Sequence, residues 1–312
     1  MPGFTIVEML VAMAVFALLV ALLLSMITQS SSIWRHAQNE VGSYQSARFA
    51  MNLMTRTLSQ SRMNVYGDYD NPSQPTTYLR KSDLQFVIDG PQGLDFRQGN
   101  SIFFQAPAVR TLNAASYGGL PGLLNSVGYY VTYGKDPNLP PFLQALDRNR
   151  FRLMQFLAPA EAMKTYTVSD KAWFQSDLTQ YSSVIADNVI LLLCWPRLSR
   201  EEDANGSSLT TAYRYDSRVG TNSVPQPVTA NQQPPLVQVT MVAIDKAVAN
   251  RLANSSTPPA EITGPLQGLF TASTETDYKR DLAELESRLS AAHIGYQLFN
   301  STVTLRETKW AK

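Results

Sequence analysis

Glu8 stands at the head of an apolar run, and few other residues in the chain are so placed to do chemistry. Met9 to Ile27 is 19 residues without a charge, with only Ser25 as a mildly polar interruption. A charge inside a membrane segment costs about 2.5–3.5 kcal/mol, so an ionisable group there is a functional residue by default. Its place near one end lets Glu8 snorkel toward the interface. The other reactive side chains are sparse. Cys194 is the single cysteine, set in the apolar run Val189 to Trp195, which reads as a buried, inert thiol. His36 and His293 lie far apart, and with one cysteine no Cys/His zinc cluster can form. Asp68, Asp70 and Asn71, and again Glu201, Glu202, Asp203 and Asn205, offer the oxygen atoms that calcium prefers. A capping turn and a solvated surface are the stronger readings of the two clusters. No G-x-S-x-G elbow or phosphate-binding glycine loop is visible, and Gly118 to Gly122 reads as a turn. The expectation is a chain with no catalytic residue, cofactor or metal.

The elements around Glu8 follow from spacing. About 20 apolar residues span a bilayer core as a helix. Beyond the run, Trp34, Ala37, Val41, Tyr44, Ala47, Met51, Met54 and Leu58 recur every three or four residues, one face of a helix. No proline interrupts Phe4 to Asn71, so one helix reaching near Asn64 is predicted, first transmembrane and then amphipathic. Its apolar face needs a partner. Gly67 to Pro72 reads as a turn. Strands are predicted at Leu84–Ile88, Ile102–Gln105, Val127–Tyr133, Phe151–Leu157, Leu236–Ile244 and Tyr296–Arg306. Val184 to Trp195 is the most apolar stretch outside the membrane and is expected to be one central strand. Helices are expected at Asp245–Ala253 and Asp277–His293, and Ser199 to Pro235 reads as a surface insertion or partly disordered loop. A long helix followed by mostly antiparallel strands, short late helices and long loops is an α+β chain. With 26 basic against 25 acidic residues, the net charge of +1 gives no electrostatic case for nucleic acid.

The hexapeptide Gly3-Phe4-Thr5-Ile6-Val7-Glu8 resembles the processing site of type IV prepilins and type II secretion pseudopilins. The resemblance implies cleavage after Gly3 by a prepilin peptidase and N-methylation of the new terminus, Phe4. It implies that Glu8 neutralises the terminal amine of a neighbouring subunit, and two charges in low dielectric are tolerable only together. The layout is then a leader at 1–3, a long helix at 4–63 with its transmembrane part at 4–27, and an extracytoplasmic pilin-like domain at 64–312. The three leader residues carry no Lys or Arg, so a translation start upstream of Met1 is expected.

The size of the domain resembles the large minor-pseudopilin type. Ile33-Trp34-Arg35, Thr57-Leu58-Ser59-Gln60, Tyr66 to Pro72, Tyr78-Leu79-Arg80, Phe151 to Phe156 and the Asp245 to Leu252 helix resemble the Verru_Chthon cassette protein C family. The expectation is a structural subunit, not an enzyme, of a pilus or secretion-like fibre. Its partners would be other pilin or pseudopilin subunits, the prepilin peptidase, an inner-membrane assembly platform and the lipid bilayer. It would cross the inner membrane once, N-terminus cytoplasmic and bulk domain periplasmic. The other expectation is a membrane-anchored periplasmic binding protein or enzyme outside any fibre.

Overall fold

The computed structural model describes residues 6–89, 99–120, 122–145, 147–168, 170–253 and 255–306. The chain divides into two compact units, Met1–Ser43 and Tyr44–Lys312. Helix α1 (Ile6–Leu58) contributes to both. It stops short of the expected Asn64 because its last turns are rich in hydroxyls. Thr55, Thr57 and Ser59 each bond back to a carbonyl three or four residues earlier, and such bonds compete with the helical ladder. The Gln60 and Ser61 amides then close tighter bonds onto Thr57 and Leu58.

Among the described residues of the larger unit, every pairing between two strands is antiparallel, with one isolated parallel bridge from Gly99 to Leu192. A hairpin of β1 (Tyr66–Tyr69) and β2 (Tyr78–Lys81) comes first. It replaces the turn expected over 67–72, because Asp70 gathers the loop by accepting from the Thr76 and Thr77 amides at 2.9 and 3.2 Å. A six-stranded sheet follows from β3 (Val87–Asp89), β4 (Ser101–Pro107), β5 (Leu124–Gly134), β6 (Arg150–Ala158), β7 (Ser182–Asp187) and β9 (Tyr215–Asp216), in the order β7-β6-β5-β4-β3-β9. The three-stranded sheet is β11 (Tyr296–Thr304), β10 (Leu236–Ile244) and β8 (Val189–Arg197). Late helices are α2 (Lys246–Leu252), α3 (Ala260–Leu266) and α4 (Glu275–Ala291).

Period-two alternation divides the cores. Ile102, Phe104 and Ala106 of β4, with Val127, Tyr129 and Val131 of β5, face one core. That core also takes Ala47, Ala50, Met51, Met54 and Leu58 of α1, and Val237, Val239 and Met241 of β10. Phe103 and Tyr130 face the opposite side, under Trp173, Phe174 and Leu178. A third cluster on the three-stranded sheet joins Leu193 and Trp195 to Tyr213 and Tyr278. Helix α4 begins with Thr274 accepting from the Asp277 amide and buries Tyr278, Asp281, Leu285 and Leu289 at spacings of three and four.

Three expectations need correction. Of the expected strand Leu84–Ile88 only Val87 and Ile88 are in β3; Leu84 to Phe86 is buried but outside it, because side chains satisfy its amides. Gln85 N–H donates to Gln105 Oε1 at 3.1 Å and Phe86 N–H to Ser217 Oγ at 3.0 Å. Val184 to Trp195 is two strands in two sheets, broken at Asn188, whose φ of 64° suits an asparagine. β8 lies at a sheet edge, not in the middle, yet is buried along its whole length. Residues 199–235 are exposed over long stretches, yet they are not a plain surface insertion, since Tyr213, Tyr215, Ser217, Ala230, Gln232 and Gln233 anchor them in the interior.

Asn100 closes the free edge of β8. Its Nδ2 donates to Cys194 O and Tyr213 O, both at 2.7 Å, its Oδ1 accepts from Cys194 N–H at 2.7 Å, and its own amide donates to Leu192 O at 3.0 Å. Asn100→Ala removes the three side-chain bonds and strands buried backbone groups. A loss of about 2–3 kcal/mol is expected, read from denaturant unfolding of the full chain. A change under about 0.5 kcal/mol, the usual scale of neutral surface substitutions, would refute this role.

Candidate functional site

The chemistry-bearing end of the chain is the start of α1. Met9–Met26 forms an 18-residue window of mean hydropathy 2.8, long and apolar enough to cross a membrane, and none of it is buried. At 1.5 Å per residue it measures about 27 Å, close to a hydrocarbon core of about 30 Å. A helix suits lipid because its backbone groups pair internally. Ser25, the one polar side chain, follows the same rule and donates its hydroxyl to Leu22 O at 3.0 Å. Thus the window presents hydrocarbon with no unsatisfied side-chain polar group among the described residues.

Glu8 lies in α1 one residue before that window. A carboxylate in the opening turns of a helix also complements the positive end of its dipole. Gly3, Phe4 and the side chain of Glu8 lie outside the described residues. What the structure contributes is their setting: a helical segment runs from Ile6 without a break into the apolar window.

That setting coincides with a known signal. Residues 2–24 match the family model described as the prokaryotic N-terminal methylation motif. The chain carries a prepilin-type N-terminus. Searches of curated proteins and of solved structures returned no match. The motif implies processing by a prepilin peptidase and assembly with other pilin subunits. Together with the single apolar helix at the N-terminus, it is consistent with membrane anchoring.

The remaining candidates serve the fold. Cys194 is fully buried, and burial pushes its thiol far above the ordinary value. Asp70 is committed to its hairpin loop, and Asn71 Oδ1 accepts from the Ser73 amide at 2.9 Å. Hydrogen bonds from Thr76 and Thr77 hold the Asp70 carboxyl well below the usual carboxylate range. Asp203 accepts from the Gly206 and Ser208 amides at 2.9 and 2.8 Å. His293 closes α4 with a φ of 53°, and its amide donates to Ser290 O. The side chain of His36 lies outside the described residues. Among those residues, no three His, Cys, Asp or Glu side chains group to hold a metal ion.

Two buried charge centres had no signal in the sequence. Arg152, only 4% exposed, bonds Asp147 at 2.7 Å, Asp187 at 3.0 Å and the carbonyl of Gly134. Arg197 pairs with Glu275 at 2.8 Å, donates to Gln238 at 2.8 Å and lies over the Trp195 ring. Each guanidinium ties together segments distant in the chain, which no local pattern reveals. A cavity of about 210 Å³ beside β8 is lined by Asn100, Leu193, Tyr213, Arg214 and Phe270, with Asp89 at its wall. Asp89 pairs with Lys171 at 2.5 Å and Arg214 at 3.5 Å, so its one carboxylate is shared between two cations.

Proposed function

We propose that this chain is a pilin-like structural subunit of a type IV pilus or type II secretion-like assembly, of the minor-pseudopilin kind, and not an enzyme. The observation that carries the reading is the methylation motif at residues 2–24 running without a break into an uncharged apolar helix. Gly3 sets the cut, Phe4 becomes the methylated terminus, and Glu8 pairs with the terminus of a neighbouring subunit. The helix is held in the inner membrane, with the larger unit on the periplasmic side, until subunits join. The bulk of that unit favours a rare position, at a tip or in initiation, over the repeating body of a fibre. The narrower likeness to the Verru_Chthon cassette protein C family belongs to the same reading.

Mass spectrometry of the N-terminal peptide from native membranes tests it. A peptide beginning at N-methylated Phe4 is the expected result, and Gly3→Leu should leave the leader attached. A wild-type peptide that keeps Met1 or anything before it would mean a permanent anchor. The larger unit would then be a membrane-tethered binding protein or enzyme.

A further inference from the structure

β11 presents a sheet edge of a kind that folded proteins usually defend. It pairs with β10 over nine residues in unbroken register, from Tyr296 opposite Ile244 to Thr304 opposite Leu236. β10 is its one partner strand among the described residues. Its other side is therefore a row of backbone donors and acceptors without a ladder. Edges are normally blunted by brevity, bulges, charges, proline or cover. The other edges of the two sheets are blunted in these ways. β9 is two residues long. β8 carries a register shift and is capped by Asn100. β7 is also register-shifted against its neighbour. β11 has none of these, and no charged residue or proline lies between Tyr296 and Thr304.

We propose that this edge is an interaction surface whose occupant is the same edge of a second copy of this chain, paired antiparallel into a continuous sheet. The absence of charge argues for the self-paired occupant. In self-pairing, a charge at the two-fold axis would meet its own like on the facing strand, and one near the axis would closely approach it. Like charges set opposite each other destabilise a sheet. An edge built for an acidic or basic partner would carry the complementary sign, and this one carries neither. Gln297, Asn300, Thr302 and Thr304 are exposed along it. They supply neutral side chains tolerant of a close neighbour. One edge is a small contact, and tethering both copies in one membrane raises their effective concentration. The inference goes beyond the fibre reading and does not depend on cleavage at Gly3.

Symmetry makes the test sharp. A two-fold axis through an antiparallel pair preserves the face of each side chain, so one residue must sit opposite its own copy. Single cysteines placed in turn along Tyr296–Thr304 of the full chain, in membranes with a mild added oxidant, should locate it. Cys194 is buried and silent. One position should form disulfide dimers, with near loss of the dimer two residues to either side, since the bond needs Cα atoms within about 7 Å. Mixed variants placed symmetrically about that position, such as two residues before it and two after, should cross-link with each other. No dimer at any position, or equal dimer at all of them as collision would give, overturns the proposal. The unmodified chain gives a second reading. Alternate outward amides of β11 should exchange slowly with solvent in the membrane-bound protein, and fast exchange at these amides would equally overturn it.

Discussion

Glu8→Ala chains are expected to be cut and methylated nearly as well as wild type, yet to be lost from fibres by about 100-fold or more. The argument is one of opposite signs. Removing the carboxylate makes the helix a better membrane segment, because a buried charge costs about 2.5–3.5 kcal/mol. A simple anchor would therefore tolerate the change or hold more firmly. A subunit whose neighbour brings a terminal amine into the same low dielectric would be left with an unpaired cation. Breaking a buried pair by deleting one partner costs about 3–5 kcal/mol, ample for that loss. Fractionation of membranes and sheared fibres, with the N-terminal peptide read in each, separates the two cases. Normal entry of Glu8→Ala into fibres would end the pairing hypothesis while leaving the processing site standing.

Gly128→Ala should destabilise the larger unit by about 3 kcal/mol, the upper part of the range for overpacked cores. Gly128 sits in β5 opposite Phe103 of β4. A Cβ there would lie 2.1 Å from Phe103 Cδ1 and 2.4 Å from Cε1. The ring cannot step aside, because it stacks on Phe174 at 3.8 Å between centroids and meets Phe156 and Trp173 edge-on. The glycine is the floor on which that aromatic cluster rests. Denaturant titration of wild-type and variant chains measures the effect, with an unchanged slope if only stability moves. A difference below about 0.5 kcal/mol, no more than a neutral surface change produces, would mean that Phe103 has room which the packing does not suggest.

Local patterns were legible and distant ones were not. β10 runs from Leu236 to Ile244 as its apolar alternation suggests, because Pro235 precedes it and Asp245 caps the helix behind it. The alternation itself did not translate into one wet face, since both faces of β10 are covered. Apolar density was a poor guide to position in a sheet. β8 has a strand on one side only and is buried by β10, by the core it shares with β4, β5 and β6, and by Asn100 and Tyr213. Within Val184 to Trp195 only the polar pair Asp187-Asn188 marked the change of sheet. Polar composition misled over 199–235, where Asn231, Gln232 and Gln233 are buried and bonded to segments elsewhere in the chain or to their own loop. By contrast the processing motif is legible because it is read by an enzyme as a short linear string. The guanidinium hubs at Arg152 and Arg197 exist only once the chain has folded.

The pairing of β3 with β9 joins Val87 to Asp216, and the core under Met51 and Met54 is completed by β10, later still. Synthesis proceeds from the N-terminus, so the amphipathic part of α1 appears long before the strands that cover it. Closing contacts so distant in the chain is slow, and apolar surface exposed in the meantime invites aggregation. The nascent chain therefore passes through an interval in which its long helix has an uncovered apolar stripe. Its safe passage depends on how fast the last hundred or so residues arrive, and a chain stalled before β10 should be a substrate for chaperones or proteases rather than a shorter version of the folded protein.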